Sequence, residues 1–376
     1  MEAWCPRRRV RLRAVEGGAL RSPAMVDAHL APDWLTTAWL SEVLGHEVAS
    51  MTVKRIGDGL VGMNLRLGLT YASAEAADGR PATVVAKLPS PDPTSRATGI
   101  ALRNYEREVK FYRDLASTVD IRVAQCHHAD WDPETGDFDL ILEDLSPAAQ
   151  GNQITGCTVE QARTAVVELA RLHGPRWADP ALDDIEWLSR RTDEDVERLS
   201  MLWNMFLPGF LGAYGAALSP DAIAVVEAFG PRLGDWVNAR NAASTITHGD
   251  YRLDNLMFAT AEGGYPVATV DWQSPGHGPA LGDVSYFLGA GLLVDDRRAV
   301  ERDLVAEYGQ ALGSYGVHES FDHLWEEYCR DAFAGVIMTV VASQIVGESD
   351  RSGTMFTAMA TRHTQHALDL DSLSLF

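Results

Sequence analysis

The chain is short of cysteine, short of cations relative to its acids, and without a long apolar run, and each shortage excludes a class of protein. Four cysteines, at 5, 126, 157 and 329, form neither a C-x-x-C pair nor a zinc-ligand spacing. A disulfide framework and a structural metal cluster are therefore not expected, and a reducing, cytoplasmic setting is. Lysine and arginine number 32 against 53 aspartates and glutamates, a formal net charge of −21. That balance repels a phosphate backbone, so no nucleic-acid partner is expected. Although 46% of the residues are hydrophobic, no stretch is long enough to span a bilayer. No internal repeat or low-complexity tract interrupts the 376 residues, a length that suits two lobes or domains.

What is present is concentrated in the run HGDYRLDN at residues 248 to 255, followed by Val270-Asp271-Trp272. Asp250 precedes the amide of Asn255 by five residues. A second carboxylate, Asp271, follows what reads as a hairpin: apolar Leu256-Met257-Phe258, a turn at Glu262-Gly263-Gly264, and a returning strand Val267 to Val270. Two short antiparallel strands would bring Asp271 back beside Asp250 and Asn255. One group to orient or deprotonate a hydroxyl and two oxygen ligands for magnesium are what phosphoryl transfer from ATP requires. His248 and Gly249 suit a loop that holds the aspartate in place. The alternative is a set of ordinary polar loop residues, which a lone His-Gly-Asp would favour and the added Asn255 and Asp271 do not.

The N-terminal third supplies complementary parts. Gly57, Gly59 and Gly62 form a G-x-G-x-x-G sequence, which a dinucleotide-binding fold also carries. Leu65, Leu67, Leu69 and Tyr71 then alternate with other residues, which predicts a strand where a dinucleotide-binding turn would open a helix. The loop reads equally as a phosphate cover or as a flexible hairpin tip. In Thr83 to Leu88, alternation places Lys87 and Val85 on one face and Val84, Ala86 and Leu88 on the other. A buried lysine needs an acid. On a helix predicted over roughly Ala101 to Leu115, Glu108 shares a stripe with Tyr105, Phe111, Tyr112 and Leu115, whereas Glu106 falls with Lys110 and Arg113 on the polar face. Glu108 is therefore the expected partner of Lys87, unless Lys87 is merely an edge-strand gatekeeper. Leu140 to Leu142 reads as a buried strand ending in the polar connection Glu143-Asp144-Leu145.

Taken in order, Lys87, Glu108, the Glu143 to Leu145 crossover, HGDYRLDN and VDWQ (270 to 273) resemble the aminoglycoside phosphotransferase and choline kinase branch of the protein-kinase-like fold. The stretches NYEREVKFYRDL (104 to 115) and VDWQSPGHGPALGDVSYFL (270 to 288) look most like its ecdysteroid-kinase-like subgroup and bacterial relatives, over roughly residues 34 to 345. The resemblance implies an α+β, two-lobed fold with a small antiparallel-sheet N-lobe (27–146) and a larger, mainly helical C-lobe (147–376). It implies ATP and Mg2+ as cofactors and a small-molecule hydroxyl as acceptor. Asp250 would be the catalytic aspartate, and Asn255 and Asp271 the magnesium ligands. Lys87, held by Glu108, would contact the non-transferred phosphates under the glycine loop, and the crossover at Glu143 and Leu145 would offer backbone groups to adenine. Asp283 is similar to an aspartate that braces the catalytic loop, although its position also suits a helix N-cap. Trp272-Gln273 stands where protein kinases carry Phe-Gly, and no activation-loop signature follows, which argues against a protein substrate.

Residues 1–26 stand apart. Six arginines and two acids occupy positions 1 to 24, and this extension is expected to be disordered, with Met25 as the start. A short helix is expected near Thr36 to Leu44, a capped helix from Thr158 to about His173, and another from Ser219-Pro220. Further helices are expected near 200–214, 283–292, 298–314, 320–346 and 354–370. His127, His128 and His277 read as surface loop residues. Trp177, Trp187, Trp203 and Trp236 read as core rather than pocket lining. Acids at 179, 183, 184, 186, 193–195 and 197 read as solvated helix faces rather than a trap for a cationic substrate. Three competing readings remain: a kinase-shaped nucleotide-binding protein without phosphotransferase activity, a metal hydrolase using His248, Asp250, Asp254 and Asp271, and an oxidoreductase built on the glycine loop.

Overall fold

The computed structural model describes residues 31–57, 61–188, 192–240, 242–345 and 350–376. The expected N-terminal extension, the Met25 start and Gly59 lie outside these residues.

The first lobe is a five-stranded sheet in the order β1-β2-β3-β5-β4, every neighbouring pair antiparallel. Its strands are β1 (Ser50–Ile56), β2 (Gly62–Thr70), β3 (Thr83–Pro89), β4 (Cys126–Trp131) and β5 (Phe138–Glu143). The alternation in β2 has a direct consequence: Leu65, Leu67 and Leu69 point into one apolar cluster with Val84, Ala86 and Leu88 of β3. Each fully buried side chain of this kind contributes about 1.5–3 kcal/mol. Helix α1 (Thr37–Leu44) covers that cluster. The Thr36 side chain caps it by accepting from the Trp39 N–H, and Gly45 ends it in the left-handed region. A short α2 (Ala74–Ala77) lies between β2 and β3.

On the other face lie α3 (Pro93–Ala101) and α4 (Asn104–Lys110), in place of one helix running from Ala101. Arg103 adopts a φ of 58°, and a left-handed residue cannot continue a right-handed helix. Beyond Lys110 the chain widens into a π-type turn over Phe111–Leu115. This element packs into a second cluster that continues into the helical lobe, so the two lobes share apolar contacts behind the cleft.

The second lobe contains α5 (Val159–His173), α6 (Asp193–Tyr214), α7 (Pro220–Phe229), α8 (Leu233–Ala239), α9 (Leu281–Gly291), α10 (Val294–Leu312), α11 (Phe321–Arg330), α12 (Phe333–Ile345) and α13 (Asp350–Asp369). Reciprocal capping boxes start α5 at Thr158 and α6 at Thr192. Helix α6 begins seven residues before the expected 200 because Thr192 and Asp195 supply that box. The expected helix over 320–346 is two helices. A turn at Asp331-Ala332 separates them, where the buried Asp331 pairs with Arg240 at 2.5 Å. Two small sheets, β10-β7 and β6-β8-β9, lie under the cleft: β6 (Ala149–Gln150), β7 (Ser244–Thr247), β8 (Leu256–Thr260), β9 (Gly263–Thr269) and β10 (Gly276–Pro279). His127 and His128 lie in β4, the latter against Asp139, and His277 is buried in β10, so none of the three is a surface loop residue. Trp187, Trp203 and Trp236 are core. Among the described residues, no helix is long and apolar enough to cross a membrane.

Candidate active site

Register places the first charged group. Lys87 pairs across the sheet with Asn64 of β2 and Leu140 of β5, which turns its side chain out of the apolar face and into the cleft. It is 7% exposed, and its Nζ lies 2.7 Å from Glu108 Oε1 and 2.6 Å from Asp271 Oδ1. Glu108 is 1% exposed on α4. Burial opposes the lysine's charge, but Asp271 and Glu108 more than offset it and hold the ammonium above its ordinary value. For Glu108, burial is the dominant influence and pushes the carboxyl up, against the pull of Lys87. For Asp271, burial is outweighed by Lys87, and its carboxyl lies below the usual range. Glu106 instead binds Arg103 and Lys110, each at 2.7 Å, and those two side chains cover it.

The second group sits in the loop after β7. Asn255 Nδ2 donates to Asp250 Oδ2 and to the Asp250 carbonyl, both at 2.9 Å. The amide nitrogen is thereby committed, and the atom suited to a metal is the Asn255 oxygen. His248 is buried. Its Nδ1 accepts the Asp250 N–H at 3.2 Å and its Nε2 donates to the Val270 carbonyl at 3.1 Å, the geometry of the Nε2–H tautomer. This imidazole joins the catalytic-loop candidate to the strand end that delivers Asp271. The Val270 N–H also bonds the Asn255 carbonyl at 3.0 Å. Asp271 itself adopts a φ of 68°, an uncommon conformation for a non-glycine residue.

Asp283, in the first turn of α9, does not cap that helix. Its oxygens accept the N–H groups of His248 at 2.7 Å and Gly249 at 3.0 Å, and it also meets His173 Nε2 at 3.3 Å. Burial raises an isolated acid, but the donors around Asp283 outweigh it and keep the group below its ordinary value. Gly249 has a φ of 77°, and a Cβ there would lie 2.3 Å from the Ser274 carbonyl oxygen, so the loop requires glycine.

The glycine loop lies at the β1–β2 corner, with Gly57 at its start and Gly62 opening β2. The Tyr105 hydroxyl of α4 donates to the Val61 carbonyl and ties the loop's far end to the helix that carries Glu108. The Glu143 N–H is bonded to the Gln125 carbonyl at 2.8 Å, and its carboxylate binds Arg122 at 2.6 Å. The Leu145 carbonyl accepts the Ala148 N–H at 2.9 Å.

Three further residues belong to the site, of which Arg252 and Tyr286 were not singled out from the sequence. Arg252 Nε reaches Asp250 Oδ2 at 3.2 Å and its NH1 reaches Asp254 Oδ2 at 2.8 Å. The Tyr286 hydroxyl donates to Asp250 Oδ1 at 2.9 Å. Trp272 stacks on Phe111 with centroids 3.7 Å apart and planes 4° from parallel, which couples the Asp271 segment to the Glu108 element. Arg252, two residues after Asp250, carried a local signal; Tyr286 carried none.

Comparison with known proteins agrees with this architecture. Residues 221–316, which include the loop, Asp271 and Asp283, match the model of the ecdysteroid kinase-like family. No curated protein matches the chain. Choline kinase from Cryptosporidium parvum Iowa II aligns over 87% of this chain and 91% of its own, with a TM-score of 0.57 at 9% identity. A protein from Ralstonia eutropha JMP134, assigned as an aminoglycoside phosphotransferase, aligns over 89% and 97%, with a TM-score of 0.52 at 18% identity. The gentamicin–APH(2″)-IIa complex aligns over 92% and 99%, with a TM-score of 0.50 at 10% identity. The chain has the protein-kinase-like fold, in the form found in aminoglycoside phosphotransferases and choline kinase.

Proposed function

We propose that the protein is an ATP- and magnesium-dependent phosphotransferase that moves the γ-phosphoryl group to a hydroxyl of a small molecule. One observation carries this reading: Lys87, Glu108, Asp250, Asn255 and Asp271, from four separate elements, converge on one cleft through direct bonds of 2.6–2.9 Å and the His248 bridge. The donor set fits magnesium, a hard cation that takes one or two protein oxygens and completes its shell with phosphate and water. Asp271 and the Asn255 oxygen would hold it. Among the described residues, no group of three or more His, Cys, Asp or Glu side chains would form an all-protein metal cage. When bound, the ion offsets the charge of the phosphate oxygens.

The chain's own residues do the rest. Lys87 stays protonated and binds non-transferred phosphate oxygens, and Glu108 fixes its direction. Asp250 accepts the acceptor's hydroxyl hydrogen and aims the oxygen at phosphorus for in-line attack. Arg252 and Asn255 hold its carboxylate at Oδ2, so little reorganisation remains at the moment of transfer.

The acceptor site is the open cleft of about 1030 Å³ between α6 and α13. Two residues of α13 adjacent in sequence to its lining reach the catalytic loop: the Met355 sulfur lies 3.3 Å from Arg252 NH1, and Arg351 lies 3.3 Å from Asp254 Oδ1. Apolar Ile154, Tyr214, Leu293 and Phe356 line it beside the hydroxyls of Thr354 and Thr357, which suits a hydroxylated compound with an apolar body. The test is ATP consumption over a panel of hydroxyl compounds, with Asp250→Ala as control. The variant is expected to stay folded and lose about 10²–10⁴-fold in turnover. Equal turnover in both proteins refutes the assignment and leaves a kinase-shaped nucleotide-binding protein.

A further inference from the structure

Next to Asp250, α9, α12 and α13 enclose a buried aromatic stack that the phosphotransfer reading does not use. Tyr286 of α9 is 4% exposed, and its hydroxyl donates to Asp250 Oδ1 at 2.9 Å. Its ring lies against His363 of α13, with centroids 5.2 Å apart and planes 8° from parallel. His363 is fully buried, and neither ring nitrogen has a hydrogen-bond partner. An orphaned buried imidazole is costly, so what places it there is its flat face. Two glycines make room for it. A Cβ on Gly335 of α12 would lie 2.0 Å from His363 Nδ1, and one on Gly289 of α9 would lie 2.8 Å away. Burial, reinforced by Arg362 and Arg297, pushes the imidazole down to about 3, so the ring is neutral and stacks without bringing charge beside the phenol.

We propose that Tyr286 is a positioning residue for Asp250, and that His363 acts one layer behind it as a flat stop that keeps the phenol aimed at Oδ1. The carboxylate is then held at both oxygens. Arg252 and Asn255 hold Oδ2, and Tyr286 holds Oδ1. Without the phenol, the carboxylate turns about its Cβ–Cγ bond and spends less time aligned with the acceptor oxygen. This inference rests on the catalytic assignment of Asp250.

The experiment measures magnesium-dependent ATP turnover, with water or an identified alcohol as acceptor, for Tyr286→Phe, His363→Phe, His363→Ala and Asp250→Asn. Tyr286→Phe keeps the stack and removes only the hydroxyl. It is expected to lower kcat about 10–100-fold, the scale of one hydrogen bond to a charged group, with KM for ATP unchanged. His363→Ala is expected to lower kcat in the same way. His363→Phe restores the flat face and is expected to keep kcat within about twofold, with a melting temperature no lower than wild type because two orphaned nitrogens are gone. Tyr286→Phe within twofold of wild type overturns the inference, as does His363→Phe as impaired as His363→Ala. If Asp250→Asn retains full turnover, the catalytic assignment itself has failed. If that variant is inactive while Tyr286→Phe is not impaired, only the positioning role has failed.

Discussion

Lys87→Met offers the sharpest energetic test of the charged cluster. In the wild-type protein one ammonium serves two carboxylates, at 2.7 and 2.6 Å. Removing it leaves Asp271 in the cleft mouth, where water reaches it, but strands Glu108 at 1% exposure. Breaking a buried pair from one side typically costs about 3–5 kcal/mol. Glu108 has an escape, because it can take up a proton. At pH 7 that uptake costs about 3.5 kcal/mol, and the cost falls by about 1.4 kcal/mol for each unit of acidification. The sign follows from burial. Burial raises the folded carboxyl, so the folded state binds a proton that the unfolded chain releases. The variant's stability is therefore greatest below the ordinary carboxylate range and is lost as pH rises through neutrality. Urea unfolding of Lys87→Met at pH 5.5 and pH 7.5 should show a pH slope steeper than wild type. Lys87→Met with Glu108→Gln should abolish that excess slope and recover about 1–3 kcal/mol at the higher pH. If the single variant has the wild-type slope, or the double variant is no more stable, Glu108 is not a buried charge that depends on Lys87.

Other outcomes follow from neighbouring contacts. Asp271→Asn removes the charge that would attract magnesium, so the concentration of magnesium giving half-maximal turnover should rise at least about tenfold, read by titration. Asp283→Ala leaves the buried N–H of His248 and the half-buried N–H of Gly249 without an acceptor, which should cost about 1–3 kcal/mol for His248 and less for Gly249 in thermal unfolding, and lower kcat as the loop relaxes. Gly249→Ala meets both a φ of 77° and a contact of 2.3 Å, and should destabilise by about 1–3 kcal/mol, with loss of turnover at temperatures where the fold persists.

Local pattern carried the two-lobed outline and most of the charged cluster. The alternation of β2 and β3 decides which face Lys87 occupies, and the apolar stripe separates Glu108 from Glu106. The hairpin that returns Asp271 was legible from Gly263-Gly264. What stayed hidden depends on contacts distant in sequence. The stop at Arg103 is a backbone choice that no periodicity records, and the turn at the buried Asp331 goes with a partner, Arg240, 91 residues away. Tyr286 meets Asp250 across 36 residues, through the docking of α9 under the loop, and His363 completes that arrangement from the far end of the chain. In a strip such as Ser285-Tyr286-Phe287, the tyrosine reads as core, and only its hydroxyl distinguishes it.

Calorimetric titration of ATP, with and without a divalent ion, into wild type, Lys87→Met and Asn255→Ala/Asp271→Asn tests the shared cleft most directly. One site per chain is expected, strengthened by magnesium in the wild-type protein, weakened about tenfold or more by Lys87→Met, and indifferent to magnesium in the double variant. Nucleotide binding of equal strength in all three proteins, with or without the ion, would contradict a single cleft built by these side chains.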